Sequence, residues 1–139
     1  MPPDLDNIKL NYDASFNTSR NTSTSSTLTR NEFGEIMAAC TYSHHGIANA
    51  FIAKARACEQ AVVFAQDLGL RLIQVEGDSF IVVKKLNTGT PDRSVLCSII
   101  QDIKERMGYF DSITFCFVGK STNEETYGSV KGGCRLLTP

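Results

Sequence analysis

The hydrophobic period of this chain changes once, near residue 50, and that change restricts the folds open to it. From Ile8 to Phe16 apolar and polar residues alternate, with Ile8, Leu10 and Tyr12 on one side and Lys9, Asn11 and Asp13 on the other. A two-residue period of this kind marks a strand with one buried face. Thr27 to Arg30 has strand character, Asn31-Glu-Phe-Gly34 supplies a turn, and the apolar run Glu35 to Tyr42 completes a hairpin. Beyond Ala50 the period lengthens: Lys54, Cys58, Ala61, Ala65 and Leu68 recur in steps of three and four along one helical face, and Gly69 stops the helix. A strand over Arg71 to Glu76 follows, and then a short helix capped by Asp78-Ser79 and running through Phe80, Val83 and Leu86. After a break at Asn87 to Pro91, a helix from Ser94 to Met107 buries Leu96, Ile99, Ile100, Ile103 and Met107, and a strand over Ile113 to Val118 ends the pattern. Meandering strands followed by alternating helices and strands predict an α/β fold, a mixed five-stranded sheet with helices packed on its faces.

The chain has 139 residues, enough for one core, and reads as a single domain over residues 1–139. Residues 1–7 form an N-terminal extension, residues 17–26 a polar loop, and residues 128–139 a tail containing Gly, Ser and Thr. The loop assignment rests on composition, since nearly every residue from Asn17 to Ser26 is Asn, Ser or Thr. Lys and Arg total 14 against 15 Asp and Glu, a net charge of −1, so no global basic field attracts a polyanion and any nucleic-acid affinity would be local. Five single cysteines without a C-x-x-C pair read as reduced thiols of an intracellular protein, in cytoplasm or nucleus. No apolar stretch has the length of a membrane span, so no membrane partner is expected. The sequons at Asn17 and Asn21 then read as loop polarity. Cys40, His44 and His45 have no second ligand pair elsewhere, which favours loop histidines over a zinc site.

Several segments together resemble the RNase H-like domain found at the end of plant non-LTR reverse transcriptases and as free-standing plant genes. They are Lys9-Leu-Asn-Tyr-Asp-Ala-Ser-Phe16, Phe33-Gly-Glu-Ile-Met-Ala-Ala39, Ala53-Lys-Ala-Arg-Ala-Cys-Glu-Gln-Ala61 through Leu70, Val75-Glu-Gly-Asp-Ser79 and Phe115-Cys-Phe-Val-Gly-Lys-Ser-Thr-Asn123. Their order and spacing follow the family from about Ile8 to Tyr127. The resemblance implies an RNase H-like fold. It also implies a chemistry, cleavage of the RNA strand of an RNA-DNA hybrid by two Mg²⁺ ions held on four carboxylates.

The first acidic position matches Asp13 and the third matches Asp78, at the ends of strands that the family places side by side. Read without the family, Asp78 is equally a helix N-cap and Asp13 a solvent-facing strand end. The second acidic position falls on Lys54 and the fourth on or near Tyr127. Glu59 cannot stand in for the second, because five residues along a helix is a rotation of about 140°. Glu124 or Glu125 is a candidate substitute for the fourth, although Gly132-Gly133 argues against the long final helix that carries it, and the tail reads as degenerate. A cation at Lys54 opposes metal binding: at an effective dielectric of about 20, one unit charge at about 4 Å is worth about 4 kcal/mol.

These substitutions imply an inactive RNase H-fold protein that acts as a protein-interaction or regulatory module. The alternative is RNA-DNA hybrid or nucleic-acid binding with weak or compensated metal-dependent cleavage. No cofactor is expected, with Mg²⁺ at Asp13 and Asp78 only if the site is partly functional. A Lys54 ion pair with Asp13 or Asp78 would fill the space instead.

Overall fold

The computed structural model of the protein describes residues 8–78, 82, 95–118 and 135–136. Strands β1 (Ile8–Asn17), β2 (Thr22–Arg30) and β3 (Ile36–His45) meander antiparallel, and helix α1 (Ala50–Asp67) crosses to β4 (Leu72–Gly77). Helix α2 (Val95–Arg106), a 3-10 turn at Met107–Tyr109, β5 (Ser112–Phe117) and a two-residue strand β6 (Arg135–Leu136) follow. The sheet order is β5-β4-β1-β2-β3-β6, with β1 parallel to β4 and β4 parallel to β5. The expected mixed five-stranded sheet is present, and β6 lengthens it by two residues on the β3 side.

Local chemistry explains the element ends. Asn17 Oδ1 accepts from the backbone N–H of Ser19 and of Arg20, turning β1 into β2. Asn31 Oδ1 accepts from the N–H of Phe33 and Glu35, while Gly34 takes φ +80°, a left-handed backbone that glycine adopts without a Cβ penalty. The Asn49 side chain accepts from Ile52 N–H and caps α1, and Gly69 at φ +75° ends it, where the sequence places the stop.

The polar loop expected over residues 17–26 is corrected: β1 extends through Asn17, the turn takes only residues 18–21, and β2 begins at Thr22. Ser23, Ser25, Ser26, Thr27 and Thr29 are buried. Strand β2 lies between β1 and β3, so both edges of its backbone find ladder partners. Its small side chains fit beneath α1, whose own buried face is Ala53, Ala57, Cys58, Ala61 and Ala65. Thr is β-branched and suits an extended backbone, so the polar composition gives a strand once a helix covers it.

The core lies between the sheet and the two helices. Ile8, Leu10 and Tyr12 of β1 and Ile73 and Val75 of β4 meet Val62 and Ala65 of α1 and Ile99 and Ile103 of α2. Burial of these side chains is the main favourable term holding the layers together. At the helix–helix seam Arg106 donates to Gln66 of α1 and to Asp102 of α2. Asp102 and Glu59 share a proton-mediated contact there: burial raises the Glu59 pKa, and the hydrogen bond from Glu59 lowers that of Asp102. Cys40 is disulfide-bonded, which corrects the expectation of five reduced thiols, while Cys58 and Cys116 are free thiols.

Of the short helix expected after Asp78, only Asp78 and Val82 are described, and Val82 is helical and buried. The N-terminal extension at 1–7, Glu124, Glu125, Tyr127 and the Gly132-Gly133 pair lie outside the described residues, as does the tail over 128–139 except for β6.

Candidate functional site

Parallel pairing of β1 with β4 decides where the two aspartates meet. Leu10 is opposite Val75 and Asn11 opposite Glu76, so two residues further on Asp13, still within β1 and paired with Ser26 of β2, and Asp78, just past the end of β4, come to the same end of the β1–β4 pairing. Helix α1 begins near that end, and its Lys54 reaches across: Lys54 Nζ donates to Asp78 Oδ1 at 2.8 Å. The lysine side chain is 28% exposed and the aspartate only 8%, so the ion pair joins a partly exposed ammonium to a nearly buried carboxylate. Lys54 stands on the helical stripe it shares with Cys58, Ala61 and Ala65, and from there its ammonium meets Asp78. Asp13 Oδ1 accepts from the N–H of Ala14 at 2.8 Å.

Beneath the aspartates lies a packing pair that the sequence reading did not single out. The Tyr12 ring occupies the space where a side chain on Gly77 would project, and a Cβ there would overlap the ring and its hydroxyl. Tyr12 is almost fully buried. Burial pushes its phenol well above the ordinary value, with Cys58, Asp78 and Asp13 acting in the same direction. Burial likewise pushes the Cys58 thiol up to about 12, so both groups are neutral at physiological pH. Tyr12 and Cys58 therefore bring no charge to the site.

A polar ladder also crosses the sheet. Asn11 Nδ2 donates to Glu76 Oε1, Gln74 Nε2 donates to Glu76 Oε2, and Gln74 Nε2 lies 3.3 Å from Cys116 Sγ. Asn11 stands two residues before Asp13, and Glu76 and Gln74 two and four before Asp78, so these three share strand parity with the aspartates, which is the signal that would have found them. Their hydrogen bonds satisfy a buried carboxylate and tie β1, β4 and β5 together below the site.

Among the described residues no three His, Cys, Asp or Glu side chains converge to hold a metal. Two Mg²⁺ ions need a shared set of carboxylate oxygens, and here one aspartate is engaged by an ammonium. The described residues therefore do not fit a two-metal centre. Cys40, His44 and His45 do not form a zinc site either: Cys40 is disulfide-bonded, and His44 Nε2 lies 3.0 Å from Ser25 Oγ. Arg71, beside the start of β4, pairs with Asp111 and stacks on Tyr109.

Comparison with known proteins agrees with this architecture. The reverse transcriptase-like family model matches residues 11–131. No curated protein matches the sequence. Among solved structures the chain is similar to RNase H1 from the halophilic archaeon Halobacterium salinarum, with a TM-score of 0.79, 21% identity and coverage of 88% of this chain and 92% of that one. It is similar also to the N-terminal RNase H domain of a Mycobacterium tuberculosis protein, with a TM-score of 0.76, 16% identity and coverage of 86% and 87%. An RNase H1 isolated from compost, solved in complex with an RNA/DNA hybrid, gives a TM-score of 0.76 at 14% identity over 87% and 91%. At these identities the likeness is one of fold.

Proposed function

For a chain that belongs to the reverse transcriptase-like family and has the fold of RNase H, we propose a catalytically inactive domain that serves as a protein-interaction or regulatory module. One observation carries this reading, the Lys54–Asp78 ion pair at 2.8 Å. In the family chemistry the position of Lys54 supplies a carboxylate to the metals. Here it supplies a positive charge that already neutralises Asp78 and repels a dication. The balanced net charge supports a partner other than a polyanion, and the sheet edge and helix faces are the surfaces proposed to receive a protein.

The test is cleavage of a labelled RNA-DNA hybrid in Mg²⁺ or Mn²⁺, for which no turnover is expected. Metal-dependent cleavage that disappears on Asp13→Asn would overturn the proposal. A second reading, hybrid binding without cleavage, draws on the similar structure solved with an RNA/DNA hybrid. Under that reading the domain retains salt-sensitive affinity for a hybrid duplex while remaining inactive, and direct titration distinguishes the two.

A further inference from the structure

Helices α1 and α2 meet along stripes that carry charge at their margin. On α1 Arg56, Glu59, Val62 and Gln66 follow one another in steps of three and four, and on α2 Ile99, Asp102, Ile103 and Arg106 do the same. Val62, Ile99 and Ile103 belong to the core, and the charged groups flank it. Within each helix an arginine holds a carboxyl group: Arg56 Nη1 donates to Glu59 Oε1 at 2.9 Å, and Arg106 Nε donates to Asp102 Oδ2 at 3.1 Å. Between the helices the Glu59 and Asp102 carboxyl groups hydrogen-bond to each other, and Arg106 Nη1 donates to Gln66 Oε1 at 3.1 Å.

Two ionised carboxylates are both acceptors, so the bond between Glu59 and Asp102 exists only while one of them carries a proton. Glu59 is the one that carries it, because its side chain is 15% exposed against 37% for Asp102 and burial opposes its charge. The same bond keeps Asp102 ionised, with its carboxyl below the usual range.

We infer that α1 and α2 are joined by a proton-operated latch, in which Glu59 and Asp102 hold the helices together while they share one proton and repel once both are ionised. Each arginine pairs with the carboxyl group of its own helix, so the link between the two carboxyl groups depends on the proton. Glu59 faces Arg56 and the neutral Cys58 thiol on α1 and Asp102 on α2, while Asp102 faces Glu59 and Arg56 across the seam and Arg106 on its own helix. From β3, His44 faces Arg56 and its neighbour His45.

Burial raises the Glu59 pKa, so stability from the shared proton is complete below the ordinary value of 4.5 and is lost as pH rises through the folded value. Asp102 is lowered, so its contribution is complete above the ordinary value of 3.8 and is lost as pH falls through the folded one. The latch is therefore closed between the two folded values and opens as pH rises past that of Glu59. Val62, Ile99 and Ile103 stay packed when it opens, so α2 loosens without leaving α1.

Carboxyl-carbon NMR of the full chain tests the shared proton. Glu59 and Asp102 should titrate as a coupled pair, with one step above 4.5 and one below 3.8, and independent titration at those ordinary values would overturn the inference. Hydrogen exchange tests the latch. After correction for the intrinsic rate, protection of the α2 amides should fall about 3–10-fold as pH rises through the Glu59 step, the equivalent of one net hydrogen bond. Glu59→Gln, whose amide donates to Asp102 at every pH, should remove that dependence, and His44→Gln should retain it. Asp102→Asn, which donates to the Glu59 carboxylate, should keep α2 protected above the wild-type step and lower the Glu59 titration. Protection of α2 that is flat across the Glu59 step in the wild type, that falls equally in Glu59→Gln, or that loses its pH dependence in His44→Gln would overturn the latch.

Discussion

Replacing Lys54 by alanine is the most direct test of what occupies the site. The ammonium lies 2.8 Å from Asp78 Oδ1, with the lysine side chain 28% and the aspartate 8% exposed. At an effective dielectric of about 20, charges about 3–4 Å apart attract by about 4–6 kcal/mol before desolvation is counted. Two limits bracket the net effect. A fully exposed pair contributes about 0–1 kcal/mol, and removing one partner of a buried pair costs about 3–5 kcal/mol. With Asp78 covered and Lys54 partly exposed, the loss should be about 1–3 kcal/mol, because Asp78 loses its paired cation. For a domain of this length that is a fall in Tm of roughly 3–15 °C. Lys54→Met, which keeps the apolar stem, separates lost packing from lost charge. Thermal unfolding in EDTA measures the loss. Added Mg²⁺ should recover part of it in Lys54→Ala by binding the unmasked carboxylates, while the wild type should respond little. A wild type strongly stabilised by Mg²⁺, with Lys54→Ala nearly neutral, would refute this account of the ion pair.

Three further outcomes are expected. Lys54→Glu alone should not restore hybrid cleavage if, as the family resemblance implies, the fourth acidic position falls on or near Tyr127; restored turnover would show that Glu124 or Glu125 serves there. Gly77→Ala should destabilise by about 1–3 kcal/mol in denaturant titration, since its Cβ would overlap the Tyr12 ring, and a smaller residue at position 12 should relieve most of the loss. Burial, then Arg56 and His45, lowers the pKa of His44, so the unfolded chain takes up a proton at a higher pH than the folded one. Stability from this group is therefore complete above the unfolded value near 6.5 and declines as pH falls toward the lowered folded value. His44→Gln should flatten that part of the pH–stability curve, and an unchanged slope would assign it to other groups.

Period, turn residues and the family spacing were legible in the sequence because each depends on residues close along the chain. Alternation from Ile8 to Tyr12 identified the buried face of β1, the stripe from Lys54 to Leu68 identified α1, and Gly69 marked its end. The possibility that Lys54 pairs with Asp13 or Asp78 was also visible. Pairing with Asp78 needed the tertiary structure, because it depends on where α1 crosses the end of β4. The Ser/Thr run from Thr22 to Thr29 shows the opposite case. Its composition signals solvent, yet these residues are largely buried, since a small hydroxyl residue can be covered wherever neighbouring strands satisfy its backbone and an alanine-faced helix lies above it. The contact of Tyr12 with Gly77 and the Asn11–Glu76–Gln74 ladder likewise depend on strand register. By itself, then, the sequence determined the elements and the chemistry available at each strand end, through local periodicity and residue type. Only the tertiary structure decided which of those groups meet, because contacts between distant residues are set by sheet order and register.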